Sequence, residues 1–326
     1  MRDSEASKFL IGLVALIVGV FGVWIIYIVT DDLVSRLPIG IRERVQPFVF
    51  VGPAMVILAI YLIYPTIHTL LISFQDAKSE NFVGLGNYIF ALTDPKMLIV
   101  LRNNVLWLIF VTSFAVALGL VIAVMVDRIG RWEPVAKSLI FLPMAISAVG
   151  ASVIWKFVYY YQPPGRNQTG LLNAMVVALG GGPVGWLLQR PWNNFFLIIV
   201  MVWLLTGFCM VVISSAVKGV PSELIEAARI DGATEIGTFF KITIPYIRGT
   251  LLTITTTVLI MVLKVFDLVF VMTSGQFGTE VLANRMYAEM FKFRNFGRGG
   301  SLAMILFVAV IPFIIYNIRS LREARR

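Results

Sequence analysis

Residues 218–248 read KGVPSELIEAARIDGATEIGTFFKITIPYIR and separate two long apolar runs. Ser222 follows a proline and predicts a helix start, with its hydroxyl as the N-cap. Gly232 predicts the end of that helix, because glycine adopts the left-handed conformation that often follows a last helical turn. A second short helix is expected over about 234–242, ending before Pro245. The stretch therefore predicts two short helices joined by a sharp turn.

The first of these helices has an amphipathic pattern with small residues on part of its face. Leu224 and Ile225 supply apolar side chains, and Ala227 and Ala228 leave little bulk beside them. An amphipathic helix of this kind can lie in a groove on another protein and approach it closely. The alternative is a helix that only seals the edge of its own bundle.

The amino-acid composition indicates whether the chain is surrounded by water or by lipid. Of the 326 residues, 59% are hydrophobic and 14% are charged, and the mean hydropathy is +0.88. Soluble domains have about 25% charged residues, so this chain has too little polar surface for water. This excludes most soluble enzymes, disordered scaffolds and nucleic-acid-binding modules. The net charge of +9 is assigned to loops beside a membrane, and no nucleic-acid partner is expected.

Seven apolar stretches are long enough to cross a bilayer, which takes about 20 residues in a helix. The fold class expected is an all-α polytopic membrane protein with about seven transmembrane helices. The first stretch is too long and too weakly basic at its start for a signal peptide, and it is interpreted as a retained anchor. The predicted spans are 10–29, 48–73, 104–127, 138–159, 194–216, 249–273 and 301–318.

The distribution of basic residues favours one orientation. With the C-terminus in the cytoplasm, the inner segments carry 14 Lys and Arg in 68 residues, and the outer segments carry 12 in 100. Cytoplasmic loops are enriched in these residues. Two outer loops are predicted to contain short helices, one over 169–180, capped by Thr169, and one over 279–293.

Several kinds of chemistry are excluded by what the sequence lacks. Cys209 and His68 are the only residues of their types, which excludes internal disulfides and any metal site built from cysteines or from two histidines. No phosphate-binding G-x-x-x-x-G-K-[ST] sequence occurs. No catalytic residue, metal ligand or cofactor is expected in this chain, so its energy must come from a partner or an ion gradient.

The 218–248 stretch resembles the EAA loop of permeases in binding-protein-dependent ATP-binding-cassette (ABC) importers. That pattern is E-A-A, three residues, G, nine residues, then I-x-L-P. The matching residues are Glu226, Ala227, Ala228, Gly232, Ile242 and Pro245, and only Ile244 replaces the usual leucine. Six fixed positions match by chance at a frequency on the order of 10⁻⁴ or less in a chain of this length.

This resemblance implies the function and the partners. The chain would be the permease subunit of an importer, without enzymatic activity, in a bacterial inner membrane. It would pair with a second permease, two cytoplasmic ATPases that bind ATP-Mg, and an external solute-binding protein. Segment 217–248 would be the coupling loop that lies in a cleft of the ATPase. The implied coupling residues are Glu226, Ala227, Ala228, Asp231, Gly232, Ile242 and Pro245.

The resemblance extends over about residues 48–320, which would form the permease core. Residues 1–47 would be an N-terminal anchor with a cytoplasmic linker, and 321–326 a cytoplasmic tail. The stretch 266–287, FDLVFVMTSGQFGTEVLANRMY, is most similar to permeases of the α-glucoside type. The substrate implied is therefore a sugar or glycoside.

Polar residues inside a predicted span are the candidates for substrate contact. Lys264 and Asp267 lie mid-span and three apart, and so on neighbouring positions of one helical face. Either charge is costly in the bilayer centre, by about 2.5–3.5 kcal/mol on insertion scales, so both should face the bundle interior. They could contact substrate, pair with each other, or contact the partner permease. Thr257 and Phe208 are further candidates, although hydroxyls often bond to their own helix and aromatic rings often only pack.

Two other functions remain open. An ion-coupled secondary transporter could use Lys264 and Asp267 as a charge relay. A membrane enzyme acting on lipid-linked sugars could hold a metal at Asp31 and Asp32, although that pair is more simply the polar flank of a span.

Overall fold

A computed structural model describes residues 2–323, and the regular structure in that range is helical apart from one isolated bridge between Gln75 and Phe82. Part of the predicted tail, residues 324–326, lies outside the described residues. The α-helices are α1 Arg2–Ser35, α2 Ile39–Leu58, α3 Tyr64–Ile72, α4 Gly86–Thr93, α5 Pro95–Val126, α6 Glu133–Ala145, α7 Ala148–Val158, α8 Leu171–Ala178, α9 Asn193–Lys218, α10 Ser222–Ile230, α11 Glu235–Thr238, α12 Ile244–Tyr246, α13 Arg248–Leu263, α14 Asp267–Met272, α15 Leu282–Tyr287 and α16 Phe296–Glu323. π-Helical turns cover Ala59–Ile63, Phe239–Thr243 and Ala288–Lys292, and short 3₁₀ helices cover Gly130–Trp132 and Gln276–Gly278.

Five helical segments within the described residues are long and apolar enough to cross a membrane, and the number rises to seven if each of two bent pairs counts as one span. The prediction of an all-α polytopic protein with about seven spans is confirmed. The five segments are Leu10–Ser35, Ile39–Ile72, Pro95–Val126, Asn193–Lys218 and Phe296–Arg319. Helical structure from Ile39 onward leaves only residues 36–38 between α1 and α2, so the predicted linker within 1–47 is mostly helical.

The predicted span 138–159 is broken. α6 and α7 meet at a bend of 96°. Pro143 lies in the last turn of α6, and Ile146 then adopts an extended conformation. Ser147 begins the next helix, because its hydroxyl accepts a hydrogen bond from the Gly150 amide at 3.1 Å. A proline near a helix end and a strong cap together favour two half-helices within this predicted span.

The predicted span 249–273 is also interrupted. α13 ends at Leu263 and α14 begins at Asp267, with Phe266 at φ −134° and ψ −61° between them. Lys264 and Asp267 therefore do not lie on one helical face, contrary to the sequence-based prediction. Val265 and Phe266 are apolar like most of the stretch 249–273, so hydropathy averaged over the span does not detect the break.

The chain divides into two compact units, residues 1–68 and 69–326. In the first unit α1 packs against α2, and the rings of Tyr27 and Phe50 lie 5.2 Å apart. In the second unit α9 is central and packs against α5, α6 and α13. Its buried side chains include Met210 and Ile213.

Two glycines permit the close approach of helices in the second unit. A Cβ atom at Gly119 would lie 2.5 Å from the Cβ of Cys209, where α5 crosses α9. A Cβ atom at Gly207 would lie 2.3 Å from the carbonyl oxygen of Ile140, where α9 crosses α6. Small residues at helix crossings are how membrane helices gain packing contacts without a hydrophobic driving force.

The two predicted loop helices are present. α8 lies within the predicted range 169–180, although its N-cap is Gly170 rather than Thr169 and no side chain caps it. α15 and the π-helical turn that follows it cover most of the predicted range 279–293. The loop before α15 contains left-handed residues, including Phe277 at φ 56°.

Candidate functional site

The first half of segment 217–248 is a helix that ends in a left-handed glycine. α10 ends at Ile230, and Gly232 has φ +79°. The Gly232 amide donates to the Arg229 carbonyl at 3.1 Å, and the Ala233 amide donates to the Ala228 carbonyl at 2.9 Å. These two bonds form a Schellman motif. The predicted stop at Gly232 is confirmed. The N-cap is Pro221, so Ser222 is the first helical residue and not the N-cap that the sequence predicted.

The second half of the segment is longer than the sequence predicted. Thr234 caps α11 by accepting a hydrogen bond from the Gly237 amide at 3.1 Å. Helical structure then continues through a π-helical turn and past Pro245 to Tyr246, where a bend of 68° leads into α13. The prediction that the helix ends before Pro245 was wrong. The wider π-helical turn directly before the proline makes room for a residue that cannot donate to the helix.

An ion pair holds the two halves of the segment together. Arg229 Nε lies 2.8 Å from Glu235 Oε1, and both side chains are more than half exposed. A pair at this exposure contributes roughly 0–1 kcal/mol. The fixed arrangement of the two halves therefore depends more on the Gly232 turn and on Ala228, which is buried.

The implied coupling residues differ in how exposed they are. Glu226, Ala227, Asp231 and Pro245 are exposed, Ile242 is half-buried, and Ala228 is buried against the rest of the chain. Of the E-A-A triplet, the glutamate and the first alanine are therefore available to another protein. The second alanine contributes to packing within this chain.

Four large apolar side chains of this segment are exposed, and they are called the apolar patch below. They are Leu224 (44% exposed), Ile230 (86%), Ile236 (73%) and Phe240 (63%), of which Leu224 belongs to the amphipathic pattern described above. Large exposed apolar side chains on a polar loop indicate an interaction surface. The only signal in the sequence is the presence of large apolar residues in a segment that also carries charges.

The four residues predicted to contact substrate lie on different elements. Phe208 is on α9, Thr257 is on α13, and Lys264 and Asp267 flank the break between α13 and α14. Both charged side chains are exposed. Among the described residues, no hydrogen bond or ion pair joins any two of these four. The Thr257 hydroxyl donates to the Thr253 carbonyl at 2.9 Å, as expected for a hydroxyl that bonds within its own helix.

Aromatic rings near the break pack on one another. The Phe266 and Phe270 rings are stacked with centroids 5.0 Å apart, and Tyr287 lies 5.4 Å and 5.2 Å from them. Tyr287 in turn lies 5.0 Å from Phe291. These contacts fix α14 against α15, so the stacked rings have a packing role in the chain itself.

Asparagines hold the loop before α15 onto two long helices. Asn103 Nδ2 donates to the carbonyls of Gly278 at 2.7 Å and Glu280 at 2.9 Å. Asn193 Nδ2 donates to the Phe277 carbonyl at 2.9 Å. Asn104 Oδ1 accepts from the Leu282 amide at 2.7 Å. These bonds satisfy backbone groups that a left-handed loop leaves unpaired.

Replacement of Asn103 by leucine is expected to loosen this loop. The Glu280 carbonyl would lose its donor, and the Gly278 carbonyl would keep only the bond from Asn194 Nδ2 at 3.2 Å. A buried group left unpaired costs about 1–3 kcal/mol. Faster limited proteolysis near residues 277–280, with a lower unfolding midpoint, is the measurable result. Asn81→Leu is the control and should have a smaller effect, because the Asn81 side chain is exposed and, among the described residues, bonds only to the Asp76 carboxylate. Equal cleavage rates in the two variants would contradict this role.

Charged residues in the same loop region are paired. Glu289 is buried and accepts from Arg285 Nε at 2.9 Å and Nη2 at 2.7 Å. Glu280 lies 3.6 Å from the same guanidinium. Burial raises the pKa of Glu280 above its usual range, and the attraction of Arg285 opposes that rise.

The structure offers little support for a metal site. In the described residues no group of three or more His, Cys, Asp or Glu side chains could hold a metal ion. Asp32 pairs with Arg36, the residue directly after α1. The Asp31 and Asp32 pair is therefore better described as a charged helix flank.

The sequence matches the family of inner membrane components of binding-protein-dependent transport systems over residues 9–326. It is 60% identical to the osmoprotective compounds uptake permease protein GgtC of Synechocystis sp., over 85% of this chain and 99% of that protein. It is 47% identical to the alpha-glucoside transport system permease protein AglF of Rhizobium meliloti, over 88% of this chain and 85% of that protein.

The fold is similar to that of a solved transporter subunit. A chain of a bacterial ABC transporter that imports the acidic polysaccharide alginate has a TM-score of 0.74 and 19% sequence identity, with 86% of this chain and 98% of that chain covered. This likeness supports the fold alone. The family match covers nearly the whole sequence and includes the segment with the Gly232 turn. The chain therefore belongs to the inner membrane permease components of binding-protein-dependent ABC importers.

Proposed function

We propose that this permease imports a sugar or glycoside by alternating access, driven by ATP hydrolysis on separate subunits. The observation that carries the proposal is the 217–248 segment, in which a rigid left-handed turn presents Glu226 and an apolar patch to another protein. The chain would hold no ATP itself. Two ATPases would bind ATP-Mg, and a second permease of a different sequence would complete the membrane channel.

The apolar patch supports an ATPase as the partner at this segment. Ile230 is 86% exposed and Ile236 is 73% exposed, and burying such side chains contributes about 1.5–3 kcal/mol each. A loop between two long apolar helices cannot bury them within this chain. Closure of an ATPase dimer around the segment would then move α9 and α13, because these helices adjoin it directly.

The names of the relatives support the substrate class. AglF is named for alpha-glucoside transport, and GgtC is named for uptake of osmoprotective compounds. A glycoside that also serves as a compatible solute satisfies both descriptions. A solute-binding protein on the outer side would deliver it, with the C-terminus of the permease in the cytoplasm.

The interruption between α13 and α14 supports a location for the transported molecule. Discontinuous helices in transporters form substrate sites, because unwound backbone groups are available to a ligand there. Lys264 and Asp267 flank this interruption and are exposed in this chain. We assign them to the lining of the substrate pathway, with Phe208 and Thr257 as further candidates.

The test is uptake into proteoliposomes that contain this permease, its partner permease and the ATPases, with the binding protein supplied outside. Uptake of a glycoside is expected only with ATP inside and with the loaded binding protein. Uptake that continues without the ATPases and collapses with a proton or sodium uncoupler would instead support the ion-coupled alternative.

Neutral replacements at the interruption should weaken substrate affinity. Asp267→Asn and Lys264→Met are each expected to raise the KM for uptake by roughly tenfold, since a hydrogen bond to a charged group contributes about 1.5–3 kcal/mol. Lys78→Met is the matched control, because Lys78 is an exposed lysine in the loop after α3. An unchanged KM together with less assembled complex would indicate a structural role instead.

A further inference from the structure

A cluster of charged side chains joins three helices close to where segment 217–248 leaves the bundle. Lys137 Nζ on α6 lies 2.8 Å from Asp127 Oδ1 at the end of α5 and 2.7 Å from Glu133 Oε1 at the start of α6. Lys218, the last residue of α9, pairs with the same Glu133 carboxylate. The Ser214 hydroxyl donates to Asp127 Oδ1 at 2.6 Å and accepts from Lys137. These five residues are called the Lys137 cluster below.

The cluster is balanced in charge and shielded from solvent at its centre. Two lysines face two carboxylates, and the side chains of Lys137, Asp127 and Glu133 are 20%, 13% and 18% exposed. The second oxygen of Asp127 is buried without a hydrogen-bond partner. Removal of Lys137 would thus leave two shielded carboxylates without their shared cation, which is far more disruptive than loss of a surface pair.

The cluster is continuous with segment 217–248. Lys218 lies four residues before Ser222, the first residue of α10. Val220 between them is buried in the same apolar core as α9, and Ile225 packs against that core. Displacement of the segment would therefore reach the cluster through this short connection.

We propose that Lys137 is a positioning residue that makes the adjoining ends of α5, α6 and α9 move together when segment 217–248 is displaced. The cluster would thereby set how much transport results from each ATP hydrolysed. This inference rests on the proposed function, because it assigns a role in the coupling of an ATPase to the permease. The physical basis is that α6 packs closely against α9 at Gly207. The ion pair between Lys137 and Asp127 then joins the end of α5 to these two helices.

The experiment measures coupling and not only activity. Lys137→Met is placed in the complete transporter in proteoliposomes, and two quantities are recorded: substrate molecules imported per ATP hydrolysed, and stimulation of ATP hydrolysis by loaded binding protein. Both are expected to fall by about tenfold, within the range of typical coupling between sites. The ATPases should still copurify with the permease. Lys137→Arg, which keeps the charge, should restore both quantities.

A second variant addresses folding. Asp127→Asn, Glu133→Gln and Lys137→Met combined remove the shielded charges together, and replacement of a whole ion-pair group is often tolerated where loss of one member is not. This triple variant should assemble normally yet remain uncoupled. Lys96→Met, at an exposed lysine in the first turn of α5, is the control and should behave as the unaltered protein.

Three results would overturn the inference. Normal coupling in an active complex that carries the triple variant would overturn this inference and leave the proposed function intact. Transport that falls only in proportion to the amount of assembled complex, across all variants, would reduce the cluster to a structural role. Absence of ATP-dependent uptake by the unaltered complex would overturn the proposed function, and the inference with it.

Discussion

Gly232→Asp is expected to abolish ATP-dependent uptake and coupled ATP hydrolysis while the permease still inserts into the membrane. Gly232 has φ +79°, and two backbone hydrogen bonds at this turn end α10. A Cβ atom here meets nothing within 4 Å in this chain. The added carboxylate would therefore not clash internally. It would project from the turn at the surface that we assign to the ATPase cleft and place an unpaired charge beside the apolar patch.

The control for this prediction is another left-handed glycine. Gly180, after α8, has φ +82° and likewise has no atom within 4 Å of a built Cβ. Gly180→Asp therefore bears a similar backbone cost, on the order of 1–2 kcal/mol, away from segment 217–248. It should retain most uptake. Copurification of the ATPases with each variant measures docking directly. Normal transport by Gly232→Asp, or equal loss in both variants, would contradict the assignment of the segment.

Gly207→Val is expected to prevent the bundle from packing. A Cβ atom at Gly207 would lie 2.3 Å from the Ile140 carbonyl oxygen and 2.8 Å from the Phe141 Cα atom. Both are backbone atoms, so the clash can be relieved only if α6 moves away from α9. Overpacking typically costs about 1–3 kcal/mol, occasionally more. Backbone atoms cannot adjust as side chains do, so a loss at or above the upper figure is expected.

Size-exclusion profiles and unfolding midpoints in detergent measure this loss. Most of the Gly207→Val protein should aggregate, and the remainder should unfold at a lower temperature. Gly22→Val is the control, since Gly22 lies inside α1 and a Cβ atom there meets nothing within 4 Å. It should give a profile like that of the unaltered chain. A monodisperse Gly207→Val protein with an unchanged midpoint would contradict the close crossing of α6 and α9.

Local features of the chain could be predicted well from the sequence. The turn at Gly232 depends on residues 228–233 only, so a glycine after an amphipathic run was sufficient to locate it. The positions of the long apolar helices follow from bilayer thickness and residue hydropathy, which are also local properties. Helix boundaries were less accurate, as at Ser222, because a serine hydroxyl can cap only if the preceding backbone leaves it outside the helix.

The helix interruptions and the Lys137 cluster could not be predicted in this way. Val265 and Phe266 are apolar like most of the stretch 249–273, and at the break between α13 and α14 the Phe266 ring packs against Tyr287 from a later helix. Ser214 lies 77 residues after Lys137 and 87 residues after Asp127. Their contact exists because α5, α6 and α9 converge at one end of the bundle.

By itself the sequence determined that this protein lies in a membrane, that it is helical, and that one polar segment carries the EAA pattern of an importer permease. Those conclusions depend on composition and on fixed spacings within single segments. Only the tertiary structure decided that a helix break separates Lys264 from Asp267, that Ile230 and Ile236 are both exposed, and that ion pairs join three helix ends. The physical reason is that burial and charge pairing depend on which helices pack together. Close crossings such as that at Gly207 determine this packing.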